Sequence, residues 1–212
     1  MNRLIVGVGT GRCGTKSLTR LLSQQPGTGP THERYGPEVR WDGPARLWPL
    51  RLWRDTAAQD APVAAEVAFY WTPHVETLLQ WADQDGRNVR VVGLKRDRQE
   101  TIDSYLRWKQ NGDHWRRRDL REEEPGEWDH CYPSFALEDK AEAIGAFWDE
   151  VYDRLADIED ERVQVFCTQS LNETDGVESI LEHCGYDEPV VETGIQVTAP
   201  SIEDARNSTQ WQ

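Results

Sequence analysis

The chain opens on Leu4-Ile5-Val6-Gly7-Val8, a short apolar and β-branched run that breaks into glycines, the pattern of a buried strand. From Thr15 to Gln25 the apolar positions fall at Leu18, Leu21 and Leu22, which predicts a helix packed on a sheet and stopped by Pro26-Gly27. Residues 28–62 mix Pro, Gly, Arg and Trp with little periodicity and are expected to form an irregular excursion. Val63–Trp71 predicts a second strand, and Pro73–Asp83 a helix with Val75, Leu78, Leu79 and Ala82 inward. Val89–Leu94 is the clearest buried strand, followed by a helix over Gln99–Lys109 with Ile102, Tyr105 and Leu106 on one face. A basic block (Arg116-Arg117-Arg118), an acidic block (Glu122-Glu123-Glu124) and several turn formers mark 110–134 as a surface loop or lid. Asp139–Ile158 has helical spacing through Ala143, Phe147, Val151, Tyr152 and Leu155. Val163–Cys167 reads as another strand and Gly176–Cys184 as a short helix ended by Gly185, whereas Ile195–Gln212 is a low-signal tail. This alternation predicts an α/β fold: a mainly parallel sheet flanked by helices.

Length keeps that picture to one unit. A chain of 212 residues can bury roughly 70% of its unfolded surface in one core, so a single domain over 1–212 is expected. The charge of −14 argues against non-specific binding to nucleic acid or to anionic membrane, though not against one local basic pocket. The basic residues divide as 4 Lys and 20 Arg; with so many carboxylates, this leaves two readings, a halophilic protein of a high-salt cytoplasm or an ordinary acidic one. Cys13, Cys131, Cys167 and Cys184 form no CxxC pair and no metal-ligand spacing, so free thiols in a reducing cytoplasm are expected. No apolar run has signal-peptide or membrane-spanning length, which predicts a cytoplasmic chain without stable membrane insertion.

The chemistry concentrates in Gly7-Val8-Gly9-Thr10-Gly11-Arg12-Cys13-Gly14-Thr15-Lys16-Ser17, between the first strand and the first helix. Glycines let backbone N–H groups approach an oxyanion, the helix start adds a positive dipole end, and Arg12 and Lys16 add formal charge. The alternative is a tight turn that uses glycine for geometry alone. A nucleotide-triphosphatase loop, G-x-x-x-x-G-K-[ST], does not fit, because Thr15 follows Gly14 and the lysine comes one place late. Nor does a later strand end in a magnesium-binding carboxylate: Val89–Leu94 runs into Lys95-Arg96 and Val163–Cys167 into Thr168-Gln169. In the dinucleotide pattern Gly9-x-Gly11-x-x-Gly14 the acidic residue nearest the required spacing, Glu33, lies past a Pro/Gly-rich turn with no obvious second strand in the sequence.

Gly11-Arg12-Cys13-Gly14-Thr15-Lys16-Ser17-Leu18 resembles the 5′-phosphosulfate loop of the sulfotransferase family, whose core is Lys or Arg, a small residue, then Gly-Thr. A second family signature is a strand running into an arginine, with a serine eight residues on, which together hold the donor's 3′-phosphate. Val91–Arg98 and Asp103-Ser104-Tyr105 supply it as Arg96 and Ser104. Glu66–Trp71, Arg162–Asn172 and Val177–Tyr186 are compatible with later family segments, so the resemblance covers roughly residues 4–188. Arg98 stands where many members have proline, and the late Arg-Lys-Gly loop has no clear match.

The resemblance implies a P-loop NTPase-like sulfotransferase architecture. It also implies 3′-phosphoadenylyl sulfate as co-substrate, no metal, and a small-molecule, glycan or lipid acceptor bearing a hydroxyl. Gly11, Arg12, Cys13, Gly14, Thr15, Lys16, Ser17, Arg96 and Ser104 would bind the donor, with Arg12 also catalytic. The family takes its general base from Glu or His. Thr31-His32-Glu33 lies about where the glutamate branch places it, which favours Glu33, then His32, with His74 third; pairing of Glu33 with Arg34 is the alternative. Of the ten tryptophans, Trp81, Trp108 and Trp148 are expected in the core, whereas Trp41, Trp48, Trp53, Trp115 and Trp128 either pin loops or offer an acceptor platform. An ATP-dependent kinase and a non-catalytic nucleotide-binding protein are the rival readings.

Overall fold

A computed structural model describes residues 3–43, 51–52, 54–55, 61–108 and 128–191. Five strands form one parallel sheet in the order β2-β3-β1-β4-β5. These are β1 (Arg3–Gly9), β2 (Thr28–His32), β3 (Val63–Val67), β4 (Val89–Lys95) and β5 (Val163–Cys167). Among the described residues the helices of nine or more residues are α1 (Thr15–Ser23), α2 (Val75–Asp85), α3 (Arg98–Arg107), α4 (Lys140–Ala156) and α5 (Thr174–His183). The expected α/β domain with a parallel sheet flanked by helices is therefore what the chain forms.

The central strands β1, β3 and β4 are buried on both faces, which explains why β1 reads as a continuous apolar run. Leu4, Val6 and Val8 point into a core shared with α2, α3 and α4, through Leu78, Ile102, Phe147 and Val151 among others. Ile5 points the other way, into a second core built from Leu18, Leu21 and Leu22 of α1 and Val177, Ile180 and Leu181 of α5. Two helix starts follow from one local device. Asp97 and Asp139 each accept the amide of the residue three places on, Glu100 at 3.0 Å and Glu142 at 2.8 Å, satisfying donors that the first helical turn leaves open. Arg98, where proline is common in the resembled family, makes a two-pronged contact with Asp149 at 3.0 and 2.9 Å that ties α3 to α4.

Two expectations are corrected. Thr28–His32, read as part of an irregular excursion, is strand β2, paired in parallel with β3 from Thr28↔Val63 to His32↔Val67. Its sequence, Thr-Gly-Pro-Thr-His, has no apolar run because it is a half-buried edge strand, where proline and glycine are tolerated. The strand read as Val63–Trp71 ends at Val67, and Phe69–His74 coils into a 3₁₀ turn with Phe69, Tyr70 and Trp71 all buried. Trp41 is a core residue that packs edge-on against Phe147 at 5.6 Å, which removes it from the acceptor platform. The two charge blocks, Trp48, Trp53, Trp115 and the tail from Ile195 lie outside the described residues.

Register puts the strand ends level. Gly9 lies opposite Leu94, Gly7 and His32 opposite Val67, and Lys95 opposite Cys167. The loops after β1, β2, β4 and β5 therefore emerge along one carboxyl edge, where open parallel sheets bind ligands.

Candidate active site

The loop after β1 turns through Gly9, Gly11, Arg12 and Gly14, all at positive φ. At Gly14 (φ 101°) a side chain would strain the backbone and would meet Leu171 Cδ1 at 3.1 Å and Thr168 Cγ2 at 3.3 Å. Gly14 is also the cap of α1 and brings no side-chain hydrogen bond, so the amides of Thr15 and Lys16 open the helix without an acceptor one turn earlier. An anion cradle needs such a backbone. The loop is held from outside by the Tyr105 hydroxyl, which donates to the Thr10 carbonyl, and by Thr168 Oγ1, which donates to the Cys13 carbonyl at 2.8 Å.

The residues of the two sequence motifs, 92 positions apart at their contact, meet here. Arg12 Nε donates to Ser104 Oγ at 3.3 Å, and Arg96 donates from Nη1 to the Arg12 carbonyl at 3.3 Å. Arg96 also pairs with Glu100 at 3.0 Å, and Trp148 Nε1 donates to the Arg96 carbonyl at 2.9 Å. The Arg12 guanidinium lies over the Trp108 ring at 5.5 Å, and Lys95 Nζ lies 4.7 Å from the Trp148 ring. Trp108 and Trp148, expected to be core, do pack against it, but each also lines a cation of the site. Cys13 differs from its neighbours: its side chain is fully buried, and burial pushes the thiol up to about 11. Only the backbone of Cys13 faces the cradle's chemistry, since its side chain packs into the α1–α5 core.

The end of β2 reaches the same place. His32 Nε2 sits 3.1 Å from Thr15 Oγ1, and His32 Nδ1 lies 3.9 Å from Glu33 Oε2. Burial first, then the Lys16 ammonium, lowers the imidazole to about 4, so His32 is neutral near pH 7. Glu33 moves the other way. Burial raises it to about 7, with Glu66 adding to the rise and Lys16 and Arg12 opposing it. Arg34, considered as its surface partner, instead lays its guanidinium over the Tyr35 ring at 5.8 Å. His74 is buried elsewhere, with Nε2 3.2 Å from the Arg40 carbonyl. Among the described residues, the non-glycine residues at positive φ are Arg12 (52°) and Glu33 (49°), the two that carry the candidate charge and the candidate base. Strained backbone of this kind clusters at functional sites.

Three participants escaped sequence reading. Thr168 follows a strand whose end showed only polar residues, and Tyr105 looked like helix core. Glu66 falls in a segment that is merely compatible with the family pattern, although a carboxylate inside the apolar run Val63–Trp71 is itself a signal, since such residues are almost never fully buried unpaired. Among the described residues no three His, Cys, Asp or Glu side chains gather as a metal site, and no helix is long and apolar enough to cross a membrane.

These features define an α/β fold with a cation-rich loop and a buried carboxyl at its sheet edge. In a comparison with solved structures, the chain is similar to a sulfotransferase from Alicyclobacillus acidocaldarius, with a TM-score of 0.58, covering 98% of this chain and 89% of that one at 15% identity. The fold is thus sulfotransferase-like. No family model and no curated protein matches the sequence.

Proposed function

We propose that the chain is a sulfotransferase, moving a sulfuryl group from 3′-phosphoadenylyl sulfate to a hydroxyl of a carbohydrate, glycolipid or small metabolite. The observation that carries this reading is the meeting of Arg12, Ser104 and Arg96 at the carboxyl edge of a sulfotransferase-like sheet. Two cationic positions with distinct supports suit a donor that carries anionic groups at both ends. In this reading the amides and side chains of Gly14, Thr15, Lys16 and Ser17 grip the 5′-phosphate, and Arg96 with Ser104 holds the 3′-phosphate.

In transfer, the acceptor oxygen bonds to sulfur as the bond from sulfur to the bridging phosphate oxygen breaks. The electron pair stays on the phosphate, where Arg12, Lys16 and the loop amides meet the added charge without calling on a metal ion. The acceptor proton passes to Glu33. A carboxyl raised to about 7 is a far better base near neutrality than an imidazole lowered to about 4, which favours Glu33 over His32. The His32 contact with Thr15 suits it better to holding the loop.

The test is calorimetric titration with adenosine 3′,5′-bisphosphate, against ATP with magnesium, in low and in molar salt. Micromolar binding of the bisphosphate, weakened at least tenfold by Arg96→Ala or Ser104→Ala, is the expected result. Preference for ATP with magnesium would replace this reading with a kinase.

A further inference from the structure

Glu66 has no exposed surface, yet it lies at the β3 edge of the site beside the turn that carries Glu33. Its Oε1 accepts the Arg34 amide at 3.0 Å and the Tyr70 hydroxyl at 3.2 Å; its Oε2 accepts the Thr31 hydroxyl. The Tyr70 oxygen in turn accepts the amides of Tyr35 at 3.0 Å and Gly36 at 3.2 Å. Three successive amides, of residues 34, 35 and 36, are therefore gathered by one buried carboxyl, directly or through one phenol. On the other side of Glu33, its own amide donates to the Val67 carbonyl at 3.1 Å. A chain so tethered before and after one residue has little freedom left at that residue. Glu33 is held at φ 49°, a left-handed conformation that residues with a Cβ disfavour.

We propose that Glu66 is the positioning residue for Glu33: with Tyr70 as its extension, it holds the turn 33–36 and so keeps the Glu33 carboxyl beside Lys16 at the loop. The inference rests on the reading of Glu33 as the base but is tested separately from it. Lys16 and Arg12 face Glu33 as cations, and Glu66 as a like charge. His32 Nδ1 lies 3.9 Å from the Glu33 carboxyl, and Tyr70, Tyr105, Tyr132 and Cys131 also lie within its field.

Glu66 could also act by charge alone, so the informative variant is Tyr70→Phe, which removes no charge and nearly preserves shape. Glu66→Gln is its counterpart. A glutamine can still accept from the Arg34 amide and the Tyr70 hydroxyl, and can donate to Thr31, whose own proton has the Ala65 carbonyl at 3.2 Å as an acceptor. The experiment follows the Glu33 carboxyl by ¹³C NMR of glutamate-labelled full-length protein, assigned by loss of its resonance in Glu33→Gln, together with hydrogen exchange of the three amides. In Tyr70→Phe the midpoint should fall from about 7 by at least one pH unit as the turn relaxes toward water, and by more than in Glu66→Gln. The Tyr35 amide should lose at least tenfold protection in Tyr70→Phe and keep it in Glu66→Gln, whereas the Gly36 amide, which also donates to the Glu33 carbonyl at 3.2 Å, should change less. A Glu33 midpoint that stays put in Tyr70→Phe, or moves no further than in Glu66→Gln, overturns the positioning role. Adenosine 3′,5′-bisphosphate is titrated into the same samples. If the parent protein does not bind it, the sulfotransferase reading fails, while the NMR result still decides the role of Glu66.

Discussion

The environment of Glu33 makes a pH prediction that separates the two candidate bases. The profile of kcat/KM reports the ionisation of the free protein, and a general base works only when unprotonated. With Glu33 at about 7, activity should be near its plateau at pH 8 and fall about tenfold per unit once pH drops below 7, so that pH 5 retains roughly 1%. A base at about 4, as burial makes His32, would leave the profile flat over the same range. The assay is transfer of labelled sulfate from the donor to whichever hydroxyl acceptor a screen returns, across pH 5–9 at constant ionic strength. Glu33→Gln should lose at least a hundredfold in rate, and the limb with it, while binding the bisphosphate normally.

The same carboxyl predicts a stability effect that needs no acceptor. The folded chain holds the Glu33 proton more tightly than the unfolded chain, so this group's contribution is full below about pH 4.5 and is lost as pH rises toward 7. Glu33→Gln should therefore melt above the parent at pH 8 and level with it at pH 4. The difference is at most about 3 kcal/mol, and less for a carboxyl left 30% exposed to screening water. A flat profile from pH 5 to 8, or a Glu33→Gln variant no more stable than the parent at pH 8, would refute the reasoning.

Other outcomes follow from single contacts. Arg12→Ala should lower turnover at least a hundredfold, and Arg12→Gly, freed of strain at φ 52°, should melt about 2–4 °C above Arg12→Ala by calorimetry. Thr168→Val removes the donor to the Cys13 carbonyl and should cost roughly 1–2 kcal/mol in urea unfolding while weakening bisphosphate binding severalfold. Trp108→Ala removes the ring under Arg12 and should reduce kcat about threefold to tenfold, matching the roughly 1 kcal/mol of a partly exposed cation–π contact. If the carboxylate excess is an adaptation to salt, the melting temperature will climb steeply in molar KCl, and a flat response removes that reading.

Much of this architecture could be read from local pattern, because its causes are local. A strand buried on both faces must be apolar throughout, so β1 and β4 stand out, and amphipathic spacing exposes α1, α2 and α4 within two residues of their observed starts. The loop from Gly9 to Ser17 was legible as a segment for the same reason: its glycines, its cations and a helix start are contiguous in the chain. The edge strand β2 was not legible, since pairing on one side asks little of its composition and lets Gly29-Pro30 stand within it.

What tertiary structure alone decided is the relation between segments. Parallel register brings His32, Lys95 and Cys167 level with the end of β1, and only then do Arg12 and Ser104 touch. The dual use of Trp108 and Trp148, apolar against the core and electron-rich toward a cation, is invisible to periodicity, which records a face but not what lies across it. The shifts of Glu33 and His32 arise from burial and from charges on three other segments, so their types were apparent in the chain while their basicities were not. Sequence determined which groups exist and which elements carry them. The packing of those elements set the distances and the solvent exposure, and charge interactions depend on both.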